Sequence, residues 1–208
     1  VIKPAEETPA SCIAIARAFD DAGLPKGVLN MVFGVPAHIS DYLIASPIIK
    51  KISFTGSVEV GRLLSILAAK QLKPVTMELG GHSPVIVCED SNIPKVAAAC
   101  AGFKYRNAGQ VCVTASRFFV HETVYDQFVD CFAQEVKKIN VGHGMEQGTT
   151  MGPLANNRRV EATESLVADA VERGAKVVMG GKRRGGKGYF FEPTILTHLD
   201  PASKILSE

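Results

Sequence analysis

The feature that most constrains this chain is its alternation of short apolar runs with longer stretches of helical spacing. Val1-Ile2-Lys3 reads as the end of a strand, stopped by Pro4. Residues 29–33, 51–54, 74–79, 84–87, 116–121 and 176–179 read as further strands, and 190–199 as a strand broken by Pro193. Between them the spacing predicts helices over 8–22, 40–45, the stretch carrying Val60, Leu63, Leu64 and Leu67, 93–106, the stretch after 121, and 155–173. Pro9 near the start of the first and Gly23 and Gly174 past the ends of the first and last suit helix boundaries. Strands alternating with helices predict an α/β fold with a parallel, doubly wound sheet, in which nucleotides bind at the carboxyl ends of the strands. Gly80-Gly81 is the expected boundary, giving domains 1–80 and 81–208. The helix after 121 places Tyr125, Phe128, Val129, Phe132, Val136 and Ile139 on one face, which reads as core.

The formal net charge of +2 points away from nucleic acid or an anionic membrane as partner. The densest basic run, Lys182-Arg183-Arg184, lies in the glycine-rich stretch 180–188, read as a flexible bend with a solvated tip. No apolar run approaches the roughly 20 residues that span a bilayer, and no signal-peptide pattern opens the chain. Five cysteines, odd in number and without metal-ligand or CxxC spacing, suit a reducing, cytoplasmic compartment and no metal site. The chain starts without Met, as if within a strand, and ends at Ile205–Glu208 without a closing element, so a piece of a longer protein is expected.

Several stretches carry possible chemistry. Asn107-Ala108-Gly109-Gln110-Val111-Cys112 is a small, uncharged loop between a helix and a strand. Cys112 there is either a nucleophile or a buried cysteine packing as a small hydrophobe. Gly56-Ser57-Val58-Glu59-Val60-Gly61 joins a strand to a helix, so it suits a pyrophosphate or is an ordinary turn with Ser57 as N-cap. Lys3 and Glu6 flank a strand end and could hold ribose hydroxyls, with Glu6 disfavouring a 2′-phosphate, or could be a solvated pair. Glu78 ends an apolar strand: a general base if its setting is apolar, a solvent-facing strand end otherwise. Arg106 reads as a helix-end arginine favoured by the dipole, Arg117 as a solvated strand residue. His82 has no carboxylate near it in sequence to orient it as a base.

Taken together, these motifs resemble the aldehyde dehydrogenase superfamily. Lys3-Pro4-Ala5-Glu6-Glu7-Thr8-Pro9 is similar to its adenosine-ribose strand end, and 23–30 continue the pattern. Phe54–Gly61 resembles its pyrophosphate turn, Glu78-Leu79-Gly80-Gly81 its general-base motif and Asn107–Cys112 its nucleophile loop. Gly152-Pro153-Leu154 and Phe191–Ile195 match further signatures. The resemblance implies the C-terminal part of a Rossmann-like NAD-binding domain in 1–80, incomplete, then an α/β catalytic domain in 81–208, truncated at its end. It implies Cys112 as nucleophile and Glu78 as base. It implies Lys3, Pro4, Ala5, Glu6, Gly56, Ser57, Gly61 and Leu79 as cofactor contacts.

NAD is the implied cofactor, NADP a possible one. In the family a stretch before the equivalent of Val1 supplies an oxyanion-hole asparagine, and a Glu-x-Phe-Gly-Pro segment follows the equivalent of Glu208. Arg106 resembles the arginine with which succinate-semialdehyde dehydrogenases grip the distal carboxylate, so a short semialdehyde is the implied substrate. The alternatives are a broad-specificity, lactaldehyde-like enzyme and a catalytically incompetent fragment or structural relative. The family further implies a homo-oligomer, dimer or tetramer, in the whole protein. The sequence departs from the pattern at Val35-Pro36, where a second glycine usually follows Gly34, and at His82.

Overall fold

The computed structural model describes residues 1–207. The chain divides into two compact units, Val1–Gly80 and Gly81–Glu208.

In the first unit, helices α1 (Pro9–Asp21) and α2 (Pro36–Ala45) precede strand β1 (Ile52–Gly56), helix α3 (Val58–Lys70) and strand β2 (Val75–Leu79). β1 and β2 pair in parallel, from Ile52 opposite Val75 to Gly56 opposite Leu79. Leu64 and Ala68, one turn apart on α3, are buried, as is Ile44 on α2. The Lys73 ammonium donates to the carbonyls of Ile44 and Ser46, satisfying acceptors at the C-terminus of α2.

Two expectations fail here. The strand over 29–33 shrinks to one parallel bridge, Ile2 to Met31. Its partner is cut short by Pro4, which has no N–H to extend a ladder. The short helix begins at Pro36 rather than Ser40, because proline's fixed φ favours the first helical position.

The second unit contains strand β3 (Val85–Val87), helix α4 (Ile93–Tyr105), strand β4 (Phe118–Val120), helices α5 (Tyr125–Val136) and α6 (Asn157–Glu172), and strands β5 (Lys176–Met179) and β6 (Ile195–Thr197). β3 and β4 are parallel with α4 between them in the chain, the βαβ arrangement that the alternation predicts. β5 and β6 are antiparallel, with an irregularity between Val177 and Met179.

The core of this unit follows two helical stripes. Ile93, Ala97, Ala101 and Tyr105 lie at fourfold spacing on α4, and Phe128, Phe132 and Val136 do so on α5. Ala97 and Ala101 are small enough for α5 to approach closely, and the Phe118 ring sits 5.3 Å from that of Phe132. Leu154, Val160 and Phe191 form a second cluster.

The 180–188 stretch is more tied down than a flexible bend. Arg183 Nε and Nη2 donate to the two carboxylate oxygens of Glu164 at 2.7 and 2.8 Å, and Nη1 to Asn157 Oδ1 at 3.3 Å. The basic run is therefore fastened to α6 through a bidentate pair, and Arg183 also bridges to Phe191 in the backbone.

Candidate active site

α4 ends at Tyr105, and the chain then makes a tight turn, Arg106–Gly109. Asn107 (φ 53°, ψ 38°), Ala108 (φ 54°, ψ 32°) and Gly109 (φ 75°) are all left-handed. Asparagine tolerates this region, but for alanine it costs about 1–2 kcal/mol. The surroundings over-determine the turn. Asn107 Nδ2 donates to the Gln110 carbonyl at 3.2 Å, and the Gln110 N–H donates to the Asn107 carbonyl at 3.1 Å. Ala108 packs against both core clusters.

Beyond the turn, the Thr114 N–H donates to the Val111 carbonyl at 2.9 Å, and Thr114 and Ala115 are both buried. Cys112 lies between these anchors and is exposed. The reading of this cysteine as a packed hydrophobe does not hold. The residue is exposed, on a loop tied at both ends.

Arg106 is exposed, with its guanidinium carbon 5.9 Å from the centroid of the Phe103 ring. That distance allows a cation–π contact. Arg106 borders a groove of about 370 Å³ with Tyr105, Glu135, Lys138 and Thr150. Lys138 is paired with Glu135 at 2.6 Å in that groove.

Arg117 is not a solvated strand residue. It is half-buried, and its Nη2 donates to the Leu206 carbonyl and lies 2.8 Å from His82 Nδ1. A guanidinium can only donate, so His82 Nδ1 is the acceptor and the proton of a neutral ring sits on Nε2. Arg117 Nε is buried with no hydrogen-bond partner among the described residues. The partners lie 35 and 89 residues away in sequence, which is why local pattern could not reveal them.

Sequence reasoning also passed over Lys104 and Gln110. Burial lowers the Lys104 pKa, and its Nζ donates to Ser116 Oγ at 3.0 Å. Lys104, Gln110, Arg117 and Arg159 line a cavity of about 460 Å³ with Leu154 and Phe191, and Cys112 is not in its wall. The signal for Gln110 was its place within the loop motif, two residues before the thiol.

In the first unit, Ser57 is the N-cap of α3, its Oγ accepting from the Val60 N–H at 3.3 Å. A Cβ on Gly61 would stand 2.6 Å from Leu79 Cδ2, so the leucine side chain packs directly against the helix backbone at this glycine. Lys3 Nζ donates to Glu6 Oε2 at 3.3 Å and to the Pro4 carbonyl at 2.6 Å, Pro4 being buried and Ala5 exposed.

Glu78 stands opposite Thr55 in the parallel pair and is exposed. Of the two settings left open for it, the solvent-facing one is found. Exposure follows from its place in β2, whose residues alternate between faces with Met77 and Leu79 the more covered.

This donor set fits a dinucleotide. A helix N-terminus with a serine hydroxyl suits a phosphate, and a carboxylate beside an ammonium suits ribose hydroxyls. Glu59, in the first turn of α3, works against the anion there. Among the described residues no group of three or more His, Cys, Asp or Glu is placed to hold a metal ion, and no helix is long and apolar enough to cross a membrane.

Residues 1–208 match the aldehyde dehydrogenase family. The Escherichia coli (strain K12) protein named succinate-semialdehyde dehydrogenase (NADP(+)) is 43% identical over 208 residues, covering 100% of this chain and 43% of its own length. A Pseudomonas aeruginosa glutarate-semialdehyde dehydrogenase is 44% identical, with 100% and 43% covered. Among solved structures, succinate-semialdehyde dehydrogenase from Burkholderia pseudomallei superposes with a TM-score of 0.95 at 47% identity, over 99% of this chain and 42% of that one. Lactaldehyde dehydrogenase from Escherichia coli gives 0.94 at 39% identity, over 99% and 43%. The chain thus spans less than half the length of the relatives it matches.

Proposed function

Because the chain belongs to the aldehyde dehydrogenase family, we propose that the whole protein oxidises a short ω-carboxylated semialdehyde, succinic or a close relative, to the acid. The observation that carries this reading is the exposed Cys112, three residues past an anchored left-handed turn.

The Cys112 thiolate attacks the aldehyde carbon, forming a C–S bond while the carbonyl electron pair moves to oxygen. The Cys112 backbone N–H donates to that oxyanion, together with an asparagine of the whole protein that the family resemblance implies. When bound, the nicotinamide of NAD or NADP supplies the hydride acceptor. As the oxygen's electron pair reforms the carbonyl, the C–H bond breaks and its hydrogen departs as hydride, leaving the acyl group on Cys112 as a thioester. Glu78, the base that the family resemblance implies, takes a proton from water, the hydroxide adds to the thioester, and the Cys112 sulfur leaves with its electron pair. Ser57 and the N-terminus of α3, with Gly61 and Leu79 behind them and Gly56 before them, would hold the pyrophosphate. Lys3 to Glu6, Pro4 and Ala5 included, would hold the adenosine ribose, and the Glu6 carboxylate would favour NAD over NADP. We infer a reducing, cytoplasmic compartment for the whole protein from its cysteine usage, and a homo-oligomer, dimer or tetramer, from the family resemblance.

Arg106 would take the distal carboxylate, where its planar donor fork suits a bidentate pair. The names of the succinate- and glutarate-semialdehyde relatives support this choice. The experiment is Arg106→Ala in the whole protein. Loss of a charge-assisted contact of about 1.5–3 kcal/mol raises KM for succinic semialdehyde roughly 10- to 100-fold. An unchanged KM assigns Arg106 to structure, resting on Phe103, and favours a broad-specificity, lactaldehyde-like enzyme instead. Cofactor choice is read from kcat/KM, and a strong preference for NADP defeats the role given to Glu6. A Cys112→Ala protein that still forms reduced cofactor defeats the covalent mechanism itself.

A further inference from the structure

We propose that Gln110 is a positioning residue whose side-chain amide locks the left-handed turn to the Pro153–Ala155 segment and thereby aims the Cys112 sulfur. The proposal rests on the reading of Cys112 as nucleophile.

Both ends of this one amide are used. Gln110 Oε1 accepts from the Ala155 N–H at 2.8 Å. Gln110 Nε2 donates to the Asn107 carbonyl at 3.1 Å and to the Pro153 carbonyl at 3.3 Å. Those partners lie 3, 43 and 45 residues away, so a single side chain joins the turn to a distant segment. A second anchor sits beside it. Ala108 packs against the cluster that Leu154, Val160 and Phe191 form, and the Leu154 N–H is held by the Tyr189 carbonyl at 2.9 Å. The segment that Gln110 grips is therefore itself fixed.

The chemistry gives this geometry a purpose. Two consecutive non-glycine residues in the left-handed region relax toward ordinary backbone once released. Such a relaxation swings the chain two residues before the sulfur, and misplacement of a reacting group by about 1 Å costs on the order of 100-fold in rate. Only an amide of this length serves. A carboxylate keeps the acceptor for Ala155 but presents a lone pair to two carbonyl oxygens, and a shorter side chain does not span the gap.

The test compares Gln110→Ala and Gln110→Glu with the parent in the whole protein. It reads the second-order rate of iodoacetamide alkylation at Cys112, the same rate at exposed Cys88, and kcat and KM. In the parent, Cys112 reacts faster than Cys88. In Gln110→Ala the Cys112 rate and kcat each fall at least tenfold, while the Cys88 rate and KM for the cofactor stay within twofold. Gln110→Glu falls at least as far, despite its near-identical size. A Cys112 rate and kcat unchanged in both variants overturns the proposal. So does a loss shared by Cys88, which marks general unfolding. A parent in which Cys112 reacts no faster than Cys88 removes the nucleophile reading itself, a failure visible before any variant is made.

Discussion

The phenolic hydroxyl of Tyr105 donates a hydrogen bond to the Thr194 carbonyl oxygen at 2.8 Å. This contact ties the last residue of α4, directly before the thiol loop, to the chain entering β6. Tyr105 is buried and its ring lies 6.2 Å from that of Phe132. Burial pushes the phenol well above its ordinary pKa, so it is a neutral donor throughout the working range. Tyr105→Phe keeps the ring and removes the donor. The expected cost is about 1 kcal/mol, read as a lower urea midpoint with an unchanged denaturant slope. A variant as stable as the parent shows that the bond adds nothing.

The same corner predicts a contrast between two glycines. Gly180 has φ 70°, and a Cβ there would overlap the Pro193 carbonyl oxygen and stand 2.8 Å from Thr194 Oγ1. Gly185 has φ 74° with nothing within 4 Å. Backbone strain is common to both, so Gly185→Ala costs about 1–2 kcal/mol. Gly180→Ala adds overlap with a backbone oxygen that has no room to move, worth a further 1–3 kcal/mol or so. Equal falls in Tm would show that 180 is conformationally demanding but not crowded.

Much of this was legible locally. The helix α4, the α5 stripe, the parallel pairs and the position of the thiol loop follow from apolar spacing, glycines and prolines, which act over a few residues. What escaped was set at a distance. Arg117 looked solvated because its partners, His82 and the Leu206 carbonyl, come from other segments. Lys182-Arg183-Arg184 looked like a free tip because Glu164 lies 19 residues before Arg183, on another element. The exposure of Glu78 is a fact of packing, on which strand hydrophobicity gives no vote. Spacing could find Gln110 as part of a motif but could not show that both ends of its amide are engaged.

Asp169 predicts a pH dependence. Its carboxylate accepts from the Lys204 N–H at 2.8 Å and from Arg173 Nε at 3.2 Å, joining α6 to the turn Lys204–Leu206. The Lys204 N–H foremost, and the Arg173 guanidinium after it, hold the carboxyl below its usual pKa. A depressed carboxylate stabilises the folded state above the unfolded pKa, near 4, and that stabilisation is lost as pH falls through the folded value. Asp169→Asn removes it at every pH. The stability gap between parent and variant should therefore be constant from about pH 7 to about pH 5 and close below about pH 4. A gap that widens on acidification contradicts the assignment.

Thr114 gives the prediction nearest the thiol. The residue is 2% exposed, and its Oγ1 has no hydrogen-bond partner among the described residues, although its N–H is bonded to the Val111 carbonyl. A buried hydroxyl without a partner keeps its desolvation cost of about 1–3 kcal/mol. Valine has nearly the same shape and the same β-branching, so Thr114→Val removes the cost and preserves the backbone contact. Stability should rise by about 1 kcal/mol, seen as a higher Tm. The alkylation rate of Cys112 should stay within twofold, because the loop is held by Gln110, Asn107 and Ala108 rather than by this hydroxyl. A drop in Tm would mean that the hydroxyl is satisfied in solution, and a drop in thiol reactivity would make Thr114 a further anchor of the loop.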